Sequence, residues 1–165
     1  ETKMRWLNSL YVKELSEEEF HKRALAFYAP YKYLNGLDLE YLSTLLHSRT
    51  EVFTDVGKLT AFIENFENFD TALFTNAKWK TDAALAAKML PDLIKIAENE
   101  WDNLHDALNA YAERDGYKKG QVLWVFRIAL TNAASTPGGA SEMARLFGKD
   151  ESLRRLNYAL GKVIA

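Results

Sequence analysis

The chain contains no cysteine, only three histidines and only three prolines. The first two scarcities each close off a class of function. Without thiols there is no disulfide, no thiolate metal site and no cysteine nucleophile, and the composition suits a reducing cytoplasm. His21, His47 and His105 are scattered without ligand spacing, so neither a histidine metal site nor a serine-histidine triad is expected. The Walker loop, G-x-G-x-x-G and H-E-x-x-H are all absent, which removes the commonest phosphate cradles and the zinc-protease signature. No apolar run approaches the roughly 20 residues needed to span a bilayer. The start, Glu1-Thr2-Lys3-Met4-Arg5-Trp6, lacks an initiator methionine and any signal-like apolar core. It reads as a fragment of a longer protein. No catalytic residue, metal ligand or cofactor is expected within this chain.

What is present is enough apolar material for a core. At 165 residues, 48% hydrophobic and 13% aromatic, the chain should form one globular domain or two small ones. The net charge of -2 conceals an asymmetry: residues 1–113 carry a balance of -7 and residues 114–165 a balance of +5. An acidic body with a basic C-terminal third points to a polyanionic partner at that end, or to ordinary surface variation.

The periodicity is helical throughout. Ser16-Glu17-Glu18-Glu19 forms a capping box ahead of Phe20, Ala24, Phe27 and Tyr28, with Pro30 closing the element. Asp38 caps a second helix with Leu39, Leu42, Leu45 and Leu46 on one face, and Asp55 opens a third with Leu59, Phe62, Ile63 and Phe66. From Thr71 to Glu100 good helix formers dominate, with Thr81 and Asp82 as cap candidates and Pro91 either starting a helix or kinking a longer one. Gly116 ends the next helix, Gly148 a short later one, and Asp150 caps the last.

The conspicuous stretch is Lys119 to Thr131. Eight of the nine residues from Val122 to Leu130 are apolar, so a helix built from them would be packed on nearly every side. A strand is the alternative on composition, yet no other stretch offers it a partner. Arg127 is the exception to the apolar run, and a guanidinium there must meet a carboxylate, carbonyls or a ligand. Beyond it lies the turn Ser135-Thr136-Pro137-Gly138-Gly139. Basic residues (Lys118, Lys119, Arg127, Arg145, Lys149, Arg154, Arg155), aromatic candidates (Tyr117, Trp124, Tyr158) and glycine turns are the ingredients of single-stranded nucleic-acid recognition. A helical protein-interaction module would need much the same residues.

Three motifs in order carry a resemblance. Lys119-Gly120-Gln121-Val122-Leu123-Trp124 with Arg127-Ile128-Ala129-Leu130-Thr131, then Thr136-Pro137-Gly138, then Leu146-Phe147-Gly148-Lys149-Asp150-Glu151 with Arg155-Leu156, closely resemble the C-terminal end of bacterial glutamyl-tRNA synthetases. Lys3-Met4-Arg5-Trp6-Leu7-Asn8 with Tyr11, and Leu45-Leu46-His47-Ser48-Arg49, are similar to segments that follow the K-M-S-K-S loop in that family. The H-I-G-H and K-M-S-K-S catalytic signatures themselves are missing.

The resemblance implies an all-α fold, a helical bundle or cage of two consecutive subdomains. Residues 1–70 would follow the catalytic core and contact stem and anticodon, and residues 71–165 would form the C-terminal anticodon-binding subdomain. It implies a monomeric, cytoplasmic ligase whose ATP and Mg lie outside this chain, and whose partner is the anticodon stem-loop of tRNA-Glu, with tRNA-Gln as a further candidate. Matching the motifs residue by residue gives Arg127, Ala134, Thr136, Pro137, Gly138 and Gly139 as anticodon contacts and Arg49 as reader of the third base. Trp124, Lys119 and Lys118 are further RNA-contact candidates. Val125 stands where the family has proline, which predicts a more regular helix. Asn132 replaces a glycine, and Gly139 an apolar residue.

Overall fold

The computed structural model describes residues 2–165, and the chain divides into two compact units, Glu1–Glu64 and Asn65–Ala165. Nine α-helices and five short 3-10 turns occur among the described residues. No strand occurs among them, only an isolated antiparallel bridge between Asn76 and Thr81.

The first unit holds α1 (Thr2–Glu14), α2 (Glu17–Tyr28), α3 (Leu39–Leu46) and α4 (Asp55–Glu64). The expected caps form: Ser16 Oγ accepts from the Glu19 amide at 3.1 Å, and Asp38 Oδ1 from that of Tyr41 at 3.0 Å. Each satisfies an amide that the first helical turn leaves without a partner. Helix α1 was not foreseen, because its apolar residues do not gather on one buried face: only Ser9 and Val12 are buried, while Trp6 is 58% exposed. In the core, Phe20 stacks on His47 at 4.4 Å, and the Tyr28 hydroxyl meets Ser43 Oγ at 2.7 Å. Gly57 is fixed by close approach, since a Cβ there would come within 2.1 Å of the Tyr31 hydroxyl.

The second unit holds α5 (Ala83–Asn99), α6 (Leu104–Asp115), α7 (Lys119–Thr131), α8 (Ala140–Phe147) and α9 (Lys149–Val163). Pro91 lies inside α5 and is exposed, and the helix runs through it. The final helix is capped two residues earlier than expected: Gly148, at φ +81°, is the N-cap residue and Asp150 sits in the first turn. A positive φ is cheap only without a Cβ. Helix α7 packs against α5, α6, α8, α9 and the 3-10 turn Thr71–Phe74. That arrangement buries Val122, Val125, Phe126, Ile128, Ala129, Leu130 and Thr131, as the apolar run requires. The segment beyond Asn65 belongs here too: Phe66 packs its ring at 5.4 Å from that of Tyr158, whose hydroxyl donates to Glu67 O.

Candidate functional site

The site is built outward from α7. It is the helix read from its sequence, and with Val125 rather than proline it keeps its backbone bonds to Thr131. It ends at Asn132, which adopts the left-handed conformation at φ +50°. Asparagine tolerates that region better than most side chains, and here its amide does further work. Oδ1 accepts from the Asp70 amide at 2.9 Å, while Nδ2 donates to Asn68 O at 3.0 Å. The residue that replaces a glycine therefore ties residues 65–70 to the end of α7.

Arg127 does not bridge to a carboxylate. Its Nη1 donates to Thr136 Oγ1 at 2.8 Å and to Ala133 O at 3.3 Å, and its Nη2 to Ala134 O at 2.9 Å. The guanidinium also lies over the Trp124 ring, 5.0 Å from its centroid, a cation–π arrangement. Burial lowers its pKa from the ordinary value, with the guanidinium still charged at neutral pH. These bonds use three of the five N–H donors a guanidinium carries. The Nε–H and the second Nη2–H take no part in these bonds, and the residue as a whole is half-exposed.

The turn continues the chain of bonds. Thr136 Oγ1, accepting from Arg127, donates to Gly138 O at 2.8 Å, and the Gly139 amide donates to Glu142 Oε1 at 3.0 Å. Pro137 is buried and Thr136 and Gly138 are half-buried, whereas Ala134, Ser135 and Gly139 are exposed. A Cβ at Gly138 would come within 3.1 Å of Glu142 and Met143, so the turn packs tightly on the first turn of α8. Arg127, Trp124, Ala134, Thr136, Pro137, Gly138 and Gly139 thus form one assembly.

Trp124 is half-buried, and its Nε1 lies 3.2 Å from both Leu73 O and Phe74 O. Lys118 and Lys119 are exposed at the opposite end of α7, roughly 12 Å from Arg127 at the helical rise. Arg49 lies in the first unit, exposed at the end of α3, with Nη1 donating to Leu45 O at 3.2 Å. There it acts on the negative pole of the helix.

Several residues of the basic third are committed to the fold. Arg155 is buried, lies over the rings of Phe66 and Phe147, and donates to Leu130 O at 3.0 Å. Arg154 pairs with Glu151 and with Glu67. The rings of Tyr117 and Tyr158 pack against Tyr111 and Phe66. Sequence reasoning missed Asn132 and Glu142 as organisers of the turn. The Asn and Glu flanking the turn at helix-end spacing were the available signals.

Residues 19–160 match the family described as the anticodon binding domain. The chain is 36% identical over 165 residues to a glutamate–tRNA ligase of Clostridium acetobutylicum, covering 98% of this chain and 34% of that protein. It is 36% identical over 169 residues to that of Clostridium novyi, covering 98% and 35%. In fold it resembles the crystal structure of a glutamate tRNA ligase from Elizabethkingia meningosepticum in complex with its amino acid. There the TM-score is 0.74 at 18% identity, over 98% of this chain and 32% of that one. The chain spans about a third of the length of the curated relatives it matches. With 142 of its 165 residues inside the match, the chain belongs to the anticodon-binding domain family.

Proposed function

We propose that this chain binds the anticodon stem-loop of tRNA-Glu as part of a glutamate–tRNA ligase, supporting glutamate attachment by the whole enzyme. The observation that carries the reading is Arg127. It is held by its own loop and by Trp124, is half-exposed next to a loop in which Ala134, Ser135 and Gly139 are exposed, and has two N–H donors that these bonds do not use. A donor fixed before binding loses little freedom on meeting a base edge, which is how preorganisation raises affinity. Thr136, Pro137 and Gly138 shape the turn, and the exposed residues present it to unstacked bases. Lys118 and Lys119 meet phosphates. Arg49 reads a base from the first unit.

The two units serve as consecutive subdomains, the first following the catalytic portion and touching stem and anticodon, the second reading the anticodon loop. ATP and Mg belong to the catalytic portion of the ligase; among the described residues no cluster of His, Cys, Asp or Glu that could hold a metal ion occurs. The ligase acts as a cytoplasmic monomer, with tRNA-Gln as a candidate second partner. Among the described residues no helix is long and apolar enough to cross a membrane.

A salt series against an anticodon stem-loop tests the reading. Phosphate-dependent binding falls steeply as salt rises. Binding that is absent, or indifferent to salt, would support a protein-interaction module instead.

A further inference from the structure

A second cationic surface lies on the same helix as Arg127, and neither the anticodon turn nor the fold core accounts for it. Residues Asn76–Thr81 form a tight hairpin closed by reciprocal backbone bonds, Asn76 N to Thr81 O at 3.1 Å and Thr81 N to Asn76 O at 3.2 Å. Asn76 Oδ1 accepts from the amides of Lys78 at 2.9 Å and Trp79 at 3.3 Å, and Thr81 Oγ1 anchors the hairpin by donating to Phe74 O at 2.6 Å. At its tip, Lys80 sits at φ +57°, a conformation glycine would adopt without strain and lysine does not.

The hairpin is pressed onto the N-terminal turn of α7. Gln121 Nε2 donates to Trp79 O at 2.9 Å, and the Trp79 ring lies so close over Gly120 that a Cβ there would come within 2.4 Å of it. The packing brings the hairpin that carries Lys78 and Lys80 against the helix start that carries Lys118 and Lys119, and all four lysines are exposed. Lys78 Nζ lies 5.0 Å from the centroid of the Trp79 ring. From Thr71 to Thr81 and from Gly116 to Ser141 there is no acidic residue, so nothing within these segments neutralises the four ammonium groups. The carboxylates that flank these segments most closely have other partners: Asp82 caps α5 by accepting from the Leu85 amide at 2.8 Å, and Asp115 pairs with Arg114 at 3.1 Å. Gly120 and Arg127 lie seven residues apart on α7, which puts the lysine cluster about 10 Å up the helix from the guanidinium.

We propose that the Asn76–Thr81 hairpin and the first turn of α7 form a binding surface for the sugar-phosphate backbone of RNA. It engages the helical stem adjoining the loop that Arg127 and its turn contact. This rests on the tRNA-binding reading. The chemistry is that of compact, mobile point charges: ammonium groups fix register on phosphates without reading sequence, whereas bases are read at the other end of α7. Trp79 acts as a rigid spacer between the hairpin and α7, and its indole is occupied by Gly120 and Lys78.

The test is a binding titration of the 165-residue chain against a cognate stem-loop and one with a scrambled anticodon, at 50 and 200 mM salt. The variants are Lys78→Gln with Lys80→Gly, and Lys118→Gln with Lys119→Gln. Glycine at position 80 removes the charge while accepting the left-handed backbone, so the first variant keeps its fold, which a thermal melt verifies. Each double variant should weaken both RNAs to the same extent. Each should also flatten the salt dependence by close to one unit of slope per lost phosphate contact, so that wild type loses about tenfold more affinity than the variant between the two salts. The doubly Lys→Arg versions should restore both. A variant that keeps wild-type affinity and slope while wild type still discriminates cognate from scrambled RNA would overturn this surface and leave the anticodon reading standing. Wild-type protein that binds neither RNA would overturn both.

Discussion

Arg127 and Arg155 are two arginines of one helical unit with opposite fates. Arg155, 5% exposed, is packed between α9 and the core: its guanidinium lies 4.4 Å from the Phe66 centroid and 4.1 Å from that of Phe147, and it donates to Leu130 O. Arg127 also lies on an aromatic ring and donates to carbonyls, but those carbonyls belong to a surface loop. Burial lowers the pKa of both, that of Arg155 to about 10, and both remain charged at pH 7. The difference is what the charge organises. Arg155 satisfies a carbonyl near the end of α7 from inside, whereas Arg127 gathers a loop around itself and presents it outward. A buried cation is therefore no sign of a binding site unless part of its donor set reaches the surface.

The comparison can be broken most easily at Arg155. Its replacement by alanine leaves Leu130 O without its donor and a void between two rings, and should destabilise the fold by about 2–4 kcal/mol in urea unfolding. RNA affinity of the protein that stays folded should be unchanged. At Arg127 the balance reverses: Arg127→Ala should weaken cognate stem-loop binding by about 1–3 kcal/mol with a smaller loss in unfolding free energy. Wild-type affinity in a folded Arg127→Ala protein would remove the base-reading role. Trp124→Phe keeps a ring under the guanidinium but deletes the donor to Leu73 O and Phe74 O. A stability loss near 1 kcal/mol with little change in binding would assign the indole to scaffold. The smallest effect is expected at Arg49, where alanine removes one bond to the end of α3, worth about 0.3–1 kcal/mol of stability. A change in preference among third-base variants, measured by titration, would show that it also reads RNA.

Much of this was legible residue by residue. Ser16 and Asp38 were read as caps, and Asp82 as one of two candidates with Thr81, and each of the three accepts an amide of its first helical turn, because a cap is a bond between neighbours in sequence. Helix rather than strand for Gln121 to Thr131 followed from the lack of any pairing partner, and the structure bears it out with a helix over Lys119–Thr131. Helix α1 escaped because its apolar residues Met4, Trp6, Leu7, Leu10 and Tyr11 stay exposed, so they do not show the one-sided pattern that burial imposes. The basic third was read too generously as surface, since composition alone cannot distinguish Arg155 in its cage from Lys118 in solvent.

What the sequence determined by itself was the helical class, the caps at Ser16, Asp38 and Asp82, and the fact that Arg127 needed partners. Those follow from local bonding and from the cost of burying charge, which no tertiary arrangement can waive. Which partners it found was decided only in three dimensions. The apolar faces of α7 had to be covered by α5, α6, α8 and α9 before its one polar edge was left facing the Ala133–Thr136 loop. The same packing set Trp79 on Gly120 and so brought the hairpin that carries Lys78 and Lys80 against the helix start that carries Lys118 and Lys119. Residues some 40 positions apart become one charged surface only when a helix is wrapped on its other sides.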